Sequence, residues 1–291
     1  MRLAHLIMVH KNAAQVERLV QALAHEHADF YLHLDTKVDL TDYAQLAVLP
    51  QVKFIQKRCS VRWGAYSLVE AIIQGVREIL ASGTRYDFIN LLSGQDYPLK
   101  PAQAIHDFFA QHVGYTFLSY EQQGSEWWQH AIKRIEQYHT IYFDFKFQYT
   151  LQGALNKLLP KRRFPLSYTL YGGPCGSWWT MSLDCARYLV DFLDEHPEVR
   201  RFSYLTWGSD EFLPSTILLN SPLKNKIIND NYRYIDWSGG GANPKLLSVA
   251  DAPALERSPH LFARKFDTMH DTEILNVLDR SFASYEPQTS V

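Results

Sequence analysis

The chain is poor in cysteine, with three residues, Cys59, Cys175 and Cys185, among 291. Their number is odd, their spacing wide and no Cys-x-x-Cys occurs, so neither a disulfide framework nor a zinc ribbon is indicated. Buried free thiols are expected instead. Neither sign of charge is in excess: 29 Lys and Arg oppose 31 Asp and Glu, for a formal net charge of −2. A protein that coats nucleic acid needs a large surplus of cations and an acidic tail the reverse, so no nucleic-acid partner is expected. Apolar runs fall well short of the roughly 18 residues that a membrane helix requires. The opening run, Leu3 to Val9, contains His5, and His10-Lys11-Asn12 stands where a signal peptide would carry its small-residue cleavage site. These features suggest a cytoplasmic protein with at most peripheral membrane association. Three further absences narrow the chemistry. The sequence has no Gly-x-Ser-x-Gly elbow, no Gly-x-x-x-x-Gly-Lys phosphate loop and no Gly-x-Gly-x-x-Gly, which weakens hydrolase, P-loop and dinucleotide-dehydrogenase readings.

What is present is enough apolar material for a core, 46% of residues, and an aromatic share of 14% that suits sugar or base binding as well as packing. Leu3 to Val9 reads as a buried parallel strand. Asn12 then caps a helix with apolar positions Val16, Leu19, Val20 and Leu23. Short strands are expected at Phe30 to Leu34 and Val52 to Ile55, a helix over 66–80 and a further strand at Tyr86 to Leu92. Pro101 starts a helix, and Tyr115 to Ser119 reads as a strand. The segment from Gln122 to Arg163 is aromatic and basic without a clean period, as in loops and short helices beside an acceptor. A strand near Ser177 to Met181 precedes a helix over 183–193, and Ser209 reads as the N-cap of another, with Asp210 and Glu211 in its first turn. Tyr232 to Trp237 is strand-like, and a last helix covers 271–281. The alternation predicts an α/β fold with a mostly parallel sheet. No repeat or linker divides it, so one domain over 1–291 is expected, with about 282–291 as a frayed tail.

Six segments carry possible chemistry. Ligands on such sheets bind beyond the carboxyl ends of the strands, where His33-Leu34-Asp35 and Asn90 to Pro98, with its Ser93-Gly94-Gln95-Asp96 turn, would lie. Arg62-Trp63-Gly64-Ala65-Tyr66 combines a cation, an aromatic ring and a glycine able to turn sharply. In Tyr171 to Trp179 the glycines permit close backbone approach, and Trp178 and Trp179 would lie on opposite faces of a strand, one in the core and one toward a ligand. Gly208-Ser209-Asp210-Glu211-Phe212 is acidic. Leu261 to Asp267 embeds Arg264 and Lys265 among apolar residues, a costly placement unless an anion accompanies them. His25 and His27 stand two apart on a predicted helix, face different ways and suggest no metal site.

In this order the six segments resemble the core-2/I-branching enzyme family (glycosyltransferase family 14), which includes β-1,6-N-acetylglucosaminyltransferases and protein xylosyltransferases, here as a bacterial-type member. The resemblance implies a GT-A-type, Rossmann-like α/β/α sandwich. It further implies an inverting, metal-independent glycosyltransferase that moves N-acetylglucosamine or xylose from a UDP-sugar to a hydroxyl of a glycan acceptor. Carried over by position, Glu211 falls on the catalytic base and Lys265 on the cation that stabilises the departing UDP, with Arg264 beside it. Val9 and Asp35 fall at uridine contacts and Trp63 at an aromatic donor-site position. The family's second diphosphate-binding cation has no direct match; Lys245, after a shift of a few residues, Arg233 and Arg264 are the alternatives. Trp178, Trp179 and Trp237 are expected to stack on sugar faces, and Glu126, Lys133 and Arg134 to meet the acceptor. No cofactor or metal is expected, since the sequence lacks the Asp-x-Asp triplet with which many GT-A enzymes hold a metal. The alternatives are a sugar- or nucleotide-binding protein on the same fold without catalysis, and a glycoside hydrolase, which would need a second carboxylate facing Glu211.

Overall fold

The computed structural model describes residues 1–241 and 243–283. Its strands are β1 (Leu3–Val9), β2 (Ala28–Leu34), β3 (Val52–Phe54), β4 (Phe88–Ser93), β5 (Asp96–Pro98), β6 (Thr116–Leu118), β7 (Glu121–Gln122), β8 (Tyr171–Gly172), β9 (Thr180–Ser182), β10 (Ile227–Asn229), β11 (Arg233–Ile235) and β12 (Phe262–Arg264). Seven form the main sheet in the order β10-β6-β9-β4-β1-β2-β3. Only β9 runs against its neighbours; the other pairings are parallel. The apolar run of β1 is wholly buried because it is central and covered on both faces. Ala4, Leu6 and Met8 pack into one core with the helices Ser67–Ala81 and Leu183–Glu195. Leu3, Ile7 and Val9 pack into another with the helices Ala13–Ala22, Ala102–Ala110 and Glu273–Ala283. The fold is therefore the expected α/β/α sandwich with a mostly parallel sheet.

Two features of topology prepare a site. The chain lays β2 and β3 to one side of β1 and returns with β4 on the other, which opens a crevice at the carboxyl ends of these strands. Register places Val9 opposite Leu34 and Met8 opposite Ser93. A second sheet, β11-β12-β5, sets β12 antiparallel to β5, so that Arg264 pairs with Asp96 across 168 positions of sequence.

Several local expectations change. Ser209 is not a helix cap: Ser209–Glu211 form a single 3-10 turn after Gly208, and the helix Leu213–Leu219 starts only beyond Phe212, whose φ of −133° interrupts it. The interruption follows from tertiary contact, since the Glu211 carbonyl accepts from Gly173 N at 3.1 Å. His25 and His27 lie in the turn after the first helix, with the His25 ring stacked on His106. The last helix runs to Ala283, past the expected start of fraying, and 284–291 lie outside the described residues. The three thiols are free, with Cys185 buried and Cys59 and Cys175 half-buried. No helix among the described residues is long and apolar enough to cross a membrane.

Candidate active site

A cavity of about 320 Å³ opens at the carboxyl ends of β1, β2 and β4, lined there by Val9, His10, Asp35, Ser93 and Gln95. Asp35 is buried at the end of β2 and organises the adjoining loop: its carboxylate accepts from Lys37 N at 2.9 Å and from Val61 N at 3.1 Å. That loop delivers Trp63 to the rim, 55% exposed and edge-to-face with Trp207. Two Trp-Gly pairs meet here. Gly208 N donates to Gly64 O at 2.7 Å, and both glycines adopt positive φ. A Cβ on Gly64 would stand 2.4 Å from Trp207 Nε1, so the close approach requires glycine.

Glu211 lines the same cavity. Its backbone is clamped by the glycine-rich segment: a Cβ at Gly176 would fall 2.4 Å from Glu211 O, and one at Gly172 2.8 Å from it. The glycines of this segment thus serve close approach to Glu211 itself. The Glu211 carboxylate pairs with Arg134, whose guanidinium also lies over the rings of Trp207 and Trp127. Burial pushes the Glu211 carboxyl up to about 7, against the opposing pull of Arg134 and with a smaller push from Asp210. Asp210 lines the cavity as well but accepts from Ser177 Oγ at 2.6 Å, and burial raises its pKa too. Two adjacent acids therefore hold different partners. Glu211 alone combines an engaged cation, a raised pKa near neutrality and a place among sugar-sized aromatic rings.

Arg264 and Lys265 complete the wall. The Arg264 guanidinium lies 4.0 Å over the Trp178 ring and its Nε stands 3.4 Å from Asp96 Oδ1, yet Nε, Nη1 and that oxygen find no hydrogen-bond partner. Burial lowers the pKa of Arg264, and that of Lys265, where Arg264 and Lys11 add repulsion. Asp96, raised by burial, is already engaged at Oδ2 by Ser93 N. One carboxylate thus faces Arg264, two of whose buried donors are unmet, with Lys265 adjoining it, an arrangement that a bound anion would complete.

The structure brings Val9, Asp35, Trp63, Trp178, Glu211, Trp237, Arg264 and Lys265 to one cavity. Arg134 joins them through Glu211. Others do not arrive. Trp179 is buried in the core at 1% exposure: β9 starts only at Thr180, later than the expected strand, and the backbone just before it, held by Leu91 N on Trp179 O at 2.9 Å, leaves Trp178 rather than Trp179 on the cavity. Lys245 is held by Asp251 at 2.5 Å and lies outside the lining, although Asn243 and Pro244 reach it. Arg233 is fully enclosed, donating to Asn90 Oδ1 and to the carbonyls of Leu91, Trp179 and Asn231. Glu126 starts the helix Glu126–Glu136, exposed and away from the cavity, as does Lys133 further along it. His10, Lys37 and Ser177 also line the cavity, without a pattern in the sequence that assigns them to it, as does Trp207, for which the repeated Trp-Gly pair is the available signal. Among the described residues no group of three or more His, Cys, Asp or Glu side chains is disposed to hold a metal ion.

Sandwich topology and a crevice at its switch point define the class as an α/β protein with a cavity beyond the strand ends. The family follows from comparison: the chain matches the core-2/I-branching enzyme family over residues 3–255 and belongs to it, a family of glycosyltransferases. It is 25% identical to xylosyltransferase 2 of Rattus norvegicus over 99% of its own length and 34% of that protein's. It is 23% identical to xylosyltransferase 1 of Homo sapiens over 96% and 30%. The chain thus spans about a third of the curated relatives it matches. These relatives are animal proteins, and the expected bacterial type finds no support among them. The apo crystal structure of mouse xyloside xylosyltransferase 1 aligns with 90% of this chain and 97% of its own, at 11% identity and a TM-score of 0.40.

Proposed function

We propose that this chain is one GT-A-type catalytic unit that transfers xylose or N-acetylglucosamine from a UDP-sugar to a hydroxyl of a glycan acceptor, with inversion and without a metal. The observation that carries the reading is one cavity lined both by Glu211, its carboxyl lifted to about 7, and by Arg264 and Lys265. A base whose pKa lies near the working pH contributes roughly a hundred- to ten-thousand-fold in rate. Glu211 accepts the acceptor's hydroxyl proton as that oxygen attacks the anomeric carbon. The bond from this carbon to the β-phosphate oxygen breaks, and its electron pair leaves with UDP. Lys265 and Arg264 stabilise the charge that develops there through charge-assisted hydrogen bonds. Val9 and Asp35 are assigned to the uridine, Trp63, Trp178 and Trp237 to stacking, and Arg134 to orienting Glu211.

The test is transfer or slow hydrolysis of UDP-xylose and UDP-N-acetylglucosamine by the wild type and Glu211→Gln, with and without EDTA. The reading expects activity that survives EDTA and falls at least a hundredfold in the variant. Equal turnover in both proteins would remove the base; loss in EDTA with recovery on adding manganese would remove metal independence.

A further inference from the structure

The helix Gln148–Leu158 is inverted relative to an ordinary surface helix. None of its residues is buried. Its polar side faces the protein: Gln152 Oε1 accepts from Thr140 N at 2.9 Å, and the Asn156 amide exchanges hydrogen bonds with the backbone of Tyr138 at 2.7 and 2.8 Å. Its apolar side faces outward. Leu151, Ala154 and Leu158 recur at helical spacing and are all exposed, Leu151 by 45% and Leu158 by 82%. Phe147, 69% exposed, extends this stripe at the helix start, with the exposed Phe143 and Phe145 just before it. An exposed apolar patch of this extent marks an interaction surface.

Charge identifies the partner. Between positions 143 and 163 stand five cations, Lys146, Lys157, Lys161, Arg162 and Arg163, against one carboxylate, Asp144. Asp144 is paired with Arg62 at 2.8 Å and Lys161 with Glu136 at 2.5 Å, and Arg162 donates inward to the carbonyls of Gln137, Leu205 and Phe202, which leaves three cations to the surface. Lys146, Lys157 and Arg163 are exposed, and Lys146 Nζ stands 5.1 Å over the Phe147 ring. Exposed aromatic and leucine side chains interleaved with cations are the composition of an interfacial helix on anionic lipid. We propose that the surface formed by residues 143–158 docks this protein onto an anionic bilayer, Phe147, Leu151 and Leu158 entering the headgroup boundary while Lys146 and Lys157 meet phosphate. Arg62 ties this surface to the cavity rim, since it pairs with Asp144, donates to Ile141 O at 3.2 Å and precedes Trp63.

The experiment uses the full chain with phosphatidylcholine vesicles and with vesicles containing phosphatidylglycerol. Co-sedimentation is expected with the anionic vesicles only, weakening as salt rises. Leu158→Ser and Phe147→Ser should each lower partitioning about tenfold, and Lys146→Glu with Lys157→Glu about twentyfold or more. These side chains are exposed, so the circular dichroism spectrum should not change. Leu151→Trp adds an indole to the stripe: its emission, taken as the difference from the wild type with its seven Trp, should shift to the blue on anionic vesicles and be quenched by brominated lipid. Failure to bind either vesicle, or binding untouched by Leu158→Ser, overturns the proposal. So does a dimer in sedimentation equilibrium that Leu158→Ser dissociates while vesicles have no effect, since the stripe would then be covered by a second copy.

Discussion

Replacing Glu211 with glutamine tests the balance of forces at the centre of the cavity. Two effects act on this carboxylate in opposite directions: burial disfavours its charge, and the Arg134 guanidinium favours it. Burial prevails, and the carboxyl rises from its ordinary 4.5 to about 7. A group whose folded pKa is raised lends stability that is fully present below its unfolded pKa and is lost as pH rises through the folded value. From about pH 5 to about pH 8 the wild type should therefore lose roughly 2 to 3 kcal/mol relative to Glu211→Gln, which cannot ionise. Glutamine keeps the shape and an oxygen that accepts from Arg134, so packing differences enter as a constant offset. Urea unfolding of both proteins across that range measures the gap directly. A gap that stays constant, or that moves in favour of the wild type with rising pH, would mean that Arg134 outweighs burial and that the carboxyl sits at or below its ordinary value. The same group governs turnover: kcat/KM in the wild type should fall on the acid side with an apparent pKa near 7, because only the ionised form accepts a proton.

Three further outcomes follow from contacts already described. Gly176→Ala places a Cβ 2.4 Å from the Glu211 carbonyl, so it should cost about 1 to 3 kcal/mol in urea unfolding and displace Glu211, lowering kcat more than UDP affinity; unchanged kcat would contradict the clamp. Lys265→Ala should weaken UDP binding in calorimetry by roughly ten- to a hundredfold, the range for a hydrogen bond to a charged group, whereas Lys245→Ala, whose ammonium is held by Asp251, should weaken it far less. The reverse ranking would make Lys245 the principal cation. Trp179→Ala should destabilise by about 3 to 5 kcal/mol as a core truncation, while Trp63→Ala, at the exposed rim, should leave stability within about 0.5 kcal/mol and reduce donor affinity; equal stability losses would contradict their placement.

Local pattern carried the sandwich a long way. Leu3 to Val9 is a continuous apolar run because β1 is covered on both faces, and the strand-helix alternation that follows admits few arrangements other than a parallel sheet. The six chemically marked segments were legible for a related reason, since each interrupts a periodic stretch with glycine, aromatic or charged residues that packing alone does not call for. Their roles were less legible. Ser209 reads as a helix cap in one dimension, and it fails as one because the Glu211 carbonyl is taken by Gly173. Arg134 reads as part of a loosely patterned acceptor segment, and nothing within 77 residues of it signals that its partner is Glu211.

By itself, then, the sequence determined the central strands, their alternation with helices and which charged side chains are out of place in a core, because these depend on short-range periodicity and on the cost of burying charge. Only the tertiary structure decided which of those residues meet. The register of β12 on β5 sets Arg264 beside Asp96, the glycine segment clamps Glu211, and the polar face of the helix Gln148–Leu158 turns inward to Thr140 and Tyr138. Each depends on partners distant in the chain or on a balance of opposing terms. Coulomb attraction and desolvation both vary with position in space, and spacing along the chain does not specify that position.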